Sequence, residues 1–234
     1  MEETATDTLR LELPATVWGT KGFQFWTLLS LLLFRSNCSR LLELGSGRST
    51  ITLAEYASFR SARFVSIETS RLWFNKAQVE LRCLGLPESP IHLVDWAPAG
   101  GWYDLEEFRP IVGTIGDFDF ALIDGPNHED GGSAGIRDSE TALREIRSLI
   151  AEAEVVVVDD VHRRHILTSL DMMLAEPERF DKFYYDYPII RAHPNTLCLC
   201  LRKGSAARAA LDPIRLALNL PLYQSIDANA CPEP

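Results

Sequence analysis

Five short apolar runs, separated by stretches of helical length, constrain this chain more than any other feature. They are Arg40–Leu44, Arg63–Ile67, Ile91–Val94, Asp119–Ile123 (following Phe118) and Val155–Val158. Each has strand length and is rich in branched aliphatic residues. The intervening segments Ser49–Tyr56, Arg71–Leu84 and Asp138–Ala153 have helical length and periodicity. Strands that read as continuous apolar runs are buried on both faces, and helical crossovers make neighbouring strands parallel. The pattern predicts an α/β domain: a doubly wound, mostly parallel sheet with helices on both faces.

The pattern changes after Val158. A helix is predicted over His162–Leu174, then two strands, Phe180–Tyr185 and Thr196–Leu201, with no helix between them. That predicts a terminal antiparallel hairpin at one edge of the sheet. A last helix is predicted over 206–218, before Pro221 and a polar tail. At the other end, Trp18–Ser36 reads as a helix. Its apolar run Phe23–Phe34 is short of the ~20 residues needed to span a bilayer. It also lacks the charge pattern and cleavage site of a secretory signal, so a helix packed on the main domain is expected. The 234 residues thus divide into an N-terminal extension and helix (1–37), one main domain (38–203), and a C-terminal helix and tail (204–234). A net charge of −10 repels phosphate backbones, which disfavours a nucleic-acid partner. The cysteines are Cys38, Cys83, Cys198, Cys200 and Cys231. Their odd count and irregular spacing match no zinc or disulfide framework, and reduced thiols in a cytoplasmic protein are expected. Cys198 and Cys200 alternate along a strand and should share one face.

The most informative stretch is Leu41-Leu-Glu-Leu-Gly-Ser-Gly-Arg-Ser-Thr50. A strand ends at Leu44. Gly45 and Gly47 form a turn, and Ser49 and Thr50 can cap the helix that follows. Glycines here permit positive φ and close approach of a ligand to the backbone, while N–H groups at the helix start can bind it. A lone Gly-x-Gly is a weak signal, strengthened by its place between strand and helix. Glu43 discriminates between ligands: a carboxylate beside the turn attracts an ammonium group and does not help a pyrophosphate. Later strands also end in acids: Glu68, Asp95 (followed by Trp96), Asp124 in Asp-Gly-Pro, and Asp159-Asp160. Ligands of open α/β sheets sit outside the carboxyl ends of the strands, so these residues should converge on one crevice.

Glu43-Leu-Gly-Ser-Gly47 resembles the first motif of class I S-adenosylmethionine-dependent methyltransferases, whose fold is Rossmann-like. The likeness spans about residues 38–203 and departs from the fuller motif at Ser49, where many members carry another glycine. It implies that Gly45, Ser46, Gly47, Ser49 and Thr50 border the cofactor S-adenosylmethionine, with Glu43 near its amino-acid end. It also implies Glu68 on the ribose, Asp95 and Trp96 flanking the adenine, and Asp124 among the cofactor-binding residues.

Asp124, Asp159 and Asp160 form a second constellation. Three carboxylates at adjacent strand ends repel one another unless a cation or proton intervenes, and hard oxygen ligands suit Mg2+. The arrangement resembles that of metal-dependent O-methyltransferases of the catechol and antibiotic-sugar types, which would make these three residues metal ligands. The catechol type carries a lysine base shortly after the first Asp, where this chain has Asn127 and His128. Asp124, His128 and His162 are therefore the catalytic candidates, a neutral imidazole being suited to general-base work. The simpler readings are a turn at Asp124-Gly125-Pro126, a helix N-cap at Asp159 or Asp160 and solvated histidines. The segment Gly125–Gly135 is expected over the acceptor pocket.

The expected activity is methyl transfer to a hydroxyl of a small molecule, with no membrane partner and with room for a homo-oligomer. Two rival readings are an NAD(P)-dependent oxidoreductase, which shares the glycine turn, and a non-catalytic methyltransferase-like binding domain. Glu43, Thr50 in place of a third glycine, and the terminal hairpin count against the oxidoreductase.

Overall fold

The computed structural model describes residues 23–88, 90–98, 101–126, 139–174, 176–188 and 194–225. Among them a seven-stranded sheet runs in the order β3-β2-β1-β4-β5-β7-β6. The strands are β1 (Arg40–Leu44), β2 (Arg63–Glu68), β3 (Ile91–Leu93), β4 (Phe120–Ile123), β5 (Val155–Val158), β6 (Phe180–Pro188) and β7 (Pro194–Arg202). The first five are parallel, and β7 pairs antiparallel with both β5 and β6. This is the expected doubly wound sheet with a terminal hairpin. The chain leaves β1 toward β2 on one side, and β4 takes up the other side. The switch point, outside which open α/β sheets commonly bind ligands, therefore lies between β1 and β4.

Helices cover both faces. The helices are α1 (Phe23–Ser36), α2 (Arg48–Arg60), α3 (Arg71–Cys83), α4 (Leu105–Gly113), α5 (Glu140–Leu149), α6 (Arg164–Met173) and α7 (Ala206–Ala217). Alternation along the strands divides the core. Leu42, Leu44, Ala121, Ile123, Val156 and Val158 face α4, α5 and α6, whereas Leu41, Phe120, Leu122, Val155 and Val157 face α1, α2 and α7. The apolar run near the N-terminus is a packed helix, as expected: Leu28, Leu29, Leu32 and Leu33 of α1 are fully buried. No helix among the described residues is long and apolar enough to cross a membrane. Cys198 and Cys200 share a buried face with their Sγ atoms 3.6 Å apart, and burial pushes the Cys198 thiol well above its ordinary pKa. Such thiols are unreactive.

Two elements depart from expectation. Helix α4 has no counterpart in the sequence reading, because Pro110 sits in its interior and proline is the poorest helix former. It forms because Asp104 caps it, accepting from Glu106 N–H at 2.8 Å, and because Phe108 and Val112 bury against the sheet. The hairpin strands are also longer than expected. The outer edge of β6 gains an isolated antiparallel bridge, in which Tyr184 and Tyr223 exchange backbone hydrogen bonds of 2.7 and 3.2 Å.

The β1 and β4 turns meet backbone to backbone. Leu44 O accepts from both Asp124 N–H (2.8 Å) and Gly125 N–H (2.6 Å). A Cβ on Gly45 would lie 2.8 Å from Gly125 N, and one on Gly125 would lie 2.8 Å from Gly45 Cα. Neither backbone can move without parting the strands, and Gly45 also holds a φ of +89°, which disfavours side chains. Gly45→Ala and Gly125→Ala are each expected to lower unfolding stability by about 1–3 kcal/mol, read as the shift in urea denaturation midpoint.

Candidate functional site

The site is built around the turn after β1. Gly45 N–H donates to Ile67 O at 2.8 Å, which ties the turn to the end of β2. Sequence reasoning assigned both glycines to a ligand. The structure divides them: Gly45 is required by the contact with Gly125, whereas a Cβ on Gly47 would meet nothing within 4 Å. Gly47 therefore faces open space. Thr50 Oγ1 accepts from Gly47 N–H (2.8 Å) and donates to Glu43 Oε2 (2.7 Å). The helix start is thus capped by Thr50, while Ser49 is a buried residue of the first turn of α2.

Glu43 is fully buried inside β1. Its Oε2 accepts from Thr50 and from Ser66 Oγ, the latter at 2.6 Å. Its Oε1 is buried with no hydrogen-bond partner. Burial pushes the carboxyl from 4.5 up to about 7, the Ser49, Ser66 and Thr50 hydroxyls oppose that rise, and Glu68 adds to it. Ser66 was not singled out from the sequence. Its signal was available: it is a polar residue in the apolar run of β2, and it pairs in register with Glu43.

Glu68, at the end of β2, is a clasp. Oε2 accepts from Ser46 N–H (2.7 Å) and Ser46 Oγ (2.8 Å), and Oε1 from Thr69 N–H (2.8 Å) and Ser70 N–H (2.7 Å). These four bonds match the acceptor capacity of one carboxylate. Ser46 Oγ is the exchangeable member, since another hydroxyl can make the same bond. The loop after β3 turns back on itself through an antiparallel bridge between Trp96 and Tyr103. Asp95 is exposed and its N–H donates to Glu107 Oε2 at 3.1 Å. Trp96 is half-buried.

On the other side of the switch point, Asp124 is half-buried beside Gly45. Asp159 Oδ1 accepts from Asp160 N–H at 2.7 Å. Asp160 is buried, holds a left-handed φ of 61°, and pairs with Arg163 at 3.1 Å. The sequence reading gathered Asp124, Asp159 and Asp160 around Mg2+. Among the described residues no group of three or more His, Cys, Asp or Glu side chains is placed to hold a metal ion. The Asp160 carboxylate is paired with the Arg163 guanidinium, and the described residues assemble no Mg2+ site. His162 is half-buried, and its Nδ1 accepts from Thr196 N–H at 3.4 Å. His128 and most of the segment Gly125–Gly135 lie outside the described residues.

No family model and no curated protein matches this chain. Solved structures do. Human methyltransferase-like protein 13, in complex with SAH, is 15% identical over 89% of this chain and 96% of that chain, with a TM-score of 0.52. Cofactor-bound Rv0187 from MTB is 24% identical over 82% of this chain and 84% of that chain, with a TM-score of 0.51. The fold is the Rossmann-like fold of class I methyltransferases, with its terminal antiparallel hairpin.

A carboxyl whose folded pKa is raised binds its proton more tightly in the native state, so its stabilising contribution is complete below pH 4.5 and is lost as pH rises through about 7. In the absence of ligand, stability measured by urea denaturation is expected to fall across that interval. The fall should be smaller in Glu43→Gln, which cannot ionise.

Proposed function

We propose that this chain is an S-adenosylmethionine-dependent methyltransferase acting on a hydroxyl group of a small molecule. One observation carries the reading: Glu43 Oε1 is buried without a hydrogen-bond partner, beneath a turn whose Gly47 opens onto free space. A buried, unpaired acceptor is costly, and a cationic donor relieves that cost. The ammonium of an amino-acid-bearing nucleoside suits it. The pyrophosphate of NAD(P) would be repelled by it, which counts against the oxidoreductase. The match of fold to SAH- and cofactor-bound structures supports the same ligand.

In this reading the Glu43 carboxylate takes the ammonium of the amino-acid end, beside the Gly45–Gly47 turn. Glu68 takes a ribose hydroxyl in place of Ser46 Oγ, and Asp95 and Trp96 border the adenine. The cofactor supplies an electrophilic methyl group on a sulfonium. The protein's task is to hold the acceptor oxygen in line with it and to take up the acceptor's proton. Asp124, at the end of β4 beside the turn, is the proposed acceptor of that proton. No step is assigned to a metal, because Asp160 is committed to Arg163.

Isothermal titration with S-adenosylhomocysteine, with NAD as the control, tests the reading. Binding of S-adenosylhomocysteine and none of NAD is expected. Gly47→Val should weaken that binding by more than about tenfold (about 1.4 kcal/mol), since its side chain would occupy the open space at the turn, where a Cβ meets no protein atom within 4 Å. Binding of NAD alone would overturn the proposal.

A further inference from the structure

Seven large apolar side chains are exposed among the described residues, and four of them belong to one helix. Leu72, Trp73 and Val79 lie on α3 and Leu84 is its C-cap, each between 41% and 59% exposed. The other three are dispersed: Phe59 borders the Phe34 ring, and Met172 and Leu216 stand singly on α6 and α7. Single apolar side chains are ordinary on a surface, whereas a cluster marks an interaction site. The inner side of α3 is already occupied, since Ala77 and Leu81 pack with Ile51, Ala54 and Ile91. Leu84 keeps the right-handed helical conformation, so the helical periodicity extends to it. At about 100° per residue, the four apolar residues share one outer face, an arc of about 140°. Three further exposed residues, Lys76, Glu80 and Cys83, fall in the same arc. Lys76 Nζ sits over the Trp73 ring, 4.2 Å from its centroid, which places the cation beside the largest apolar group of the face.

We propose that α3 is the interface of a two-fold homodimer, in which two copies of the helix pack antiparallel across this face. A second copy is the fitting partner because the face is complementary to itself. About a two-fold axis level with Gln78, Lys76 of one copy meets Glu80 of the other, and the same pair recurs across the axis. Trp73 then meets Leu84, Leu72 meets Cys83, and Val79 sits beside its own counterpart. Every pair sets opposite charges or apolar groups together, as an isologous interface requires. Parallel packing would instead set Lys76 against Lys76 and Glu80 against Glu80. The apolar residues supply the affinity, with Trp73 as the anchor, a residue type enriched at interface centres. The Lys–Glu pairs contribute little affinity but fix register and partner. This pairing does not depend on the methyltransferase reading.

Sedimentation equilibrium of the intact protein at micromolar concentrations tests the proposal, with far-ultraviolet circular dichroism to show that each variant is folded. The wild type should be a dimer. Val79→Arg sets two cations at the axis, and Lys76→Glu or Glu80→Lys alone sets like charges opposite one another. Each of these should raise the dimer dissociation constant by at least about tenfold. The double variant Lys76→Glu/Glu80→Lys exchanges the two charges and should recover most of the lost affinity, which contact through another face would not do. A monomeric wild type would overturn the proposal and leave the face to a partner of different sequence. A dimer unaffected by Val79→Arg would place the interface elsewhere, and single charge variants that the double variant does not rescue would refute the antiparallel register.

Discussion

The site is organised around a carboxyl group that is fully buried inside a strand. Removing an ionised group from water is costly unless it is paired and hydrogen-bonded, and Glu43 is only half provided for. Thr50 and Ser66 satisfy one oxygen and the other has no partner. The neighbouring features follow from this arrangement. Thr50 reaches Glu43 because the same hydroxyl caps the start of α2 by accepting from Gly47 N–H. Ser66 reaches it because β1 and β2 pair in register. The turn between them is held by Ile67 O on one side and Gly125 on the other. The turn and the sheet are thus one hydrogen-bonded unit with one unpaired carboxyl oxygen inside it, the oxygen that the proposed reading gives to a cation.

Much of this was legible in the sequence, because its signals are local. Apolar runs of strand length, separated by helical stretches, specify a buried parallel sheet whatever the helices do in detail. Two strands without an intervening helix specify the hairpin. Glu43 stood out as an acid inside an apolar strand. What escaped was set by contacts between segments distant in the chain. Gly45 reads as a ligand-facing residue, yet its tightest neighbour is Gly125, eighty positions on. Glu68 reads as a ribose ligand, and the structure shows it also clasping Ser46 and the start of α3. Asp159-Asp160 reads as half of a metal site, but the left-handed backbone at Asp160 and its pairing with Arg163 are not visible in a string of residue types. Helix α4 escaped because burial of Phe108 and Val112 overrides the penalty of Pro110.

The two sides of the switch point differ in kind. On the β2–β3 side, the polar groups are tied into the turns that carry them, which suits binding of one invariant ligand. On the β5–β7 side, Tyr223 and Thr196 both donate to Asp186 Oδ1, and Thr196 N–H donates to His162 Nδ1. Residues 204–225 therefore do more than cover a face of the sheet. Helix α7 packs against α1, and Tyr223 pairs with the outer strand β6.

The central claim is that Glu43 Oε1 receives the ammonium of an amino-acid-bearing nucleoside. The direct measurement is calorimetric affinity for S-adenosylhomocysteine against its analogue lacking the α-amino group, in the wild type and in Glu43→Gln. The account expects the analogue to bind at least about tenfold more weakly to the wild type (about 1.4 kcal/mol), with the difference largely lost in Glu43→Gln. Equal affinity of the two ligands for the wild type would contradict it.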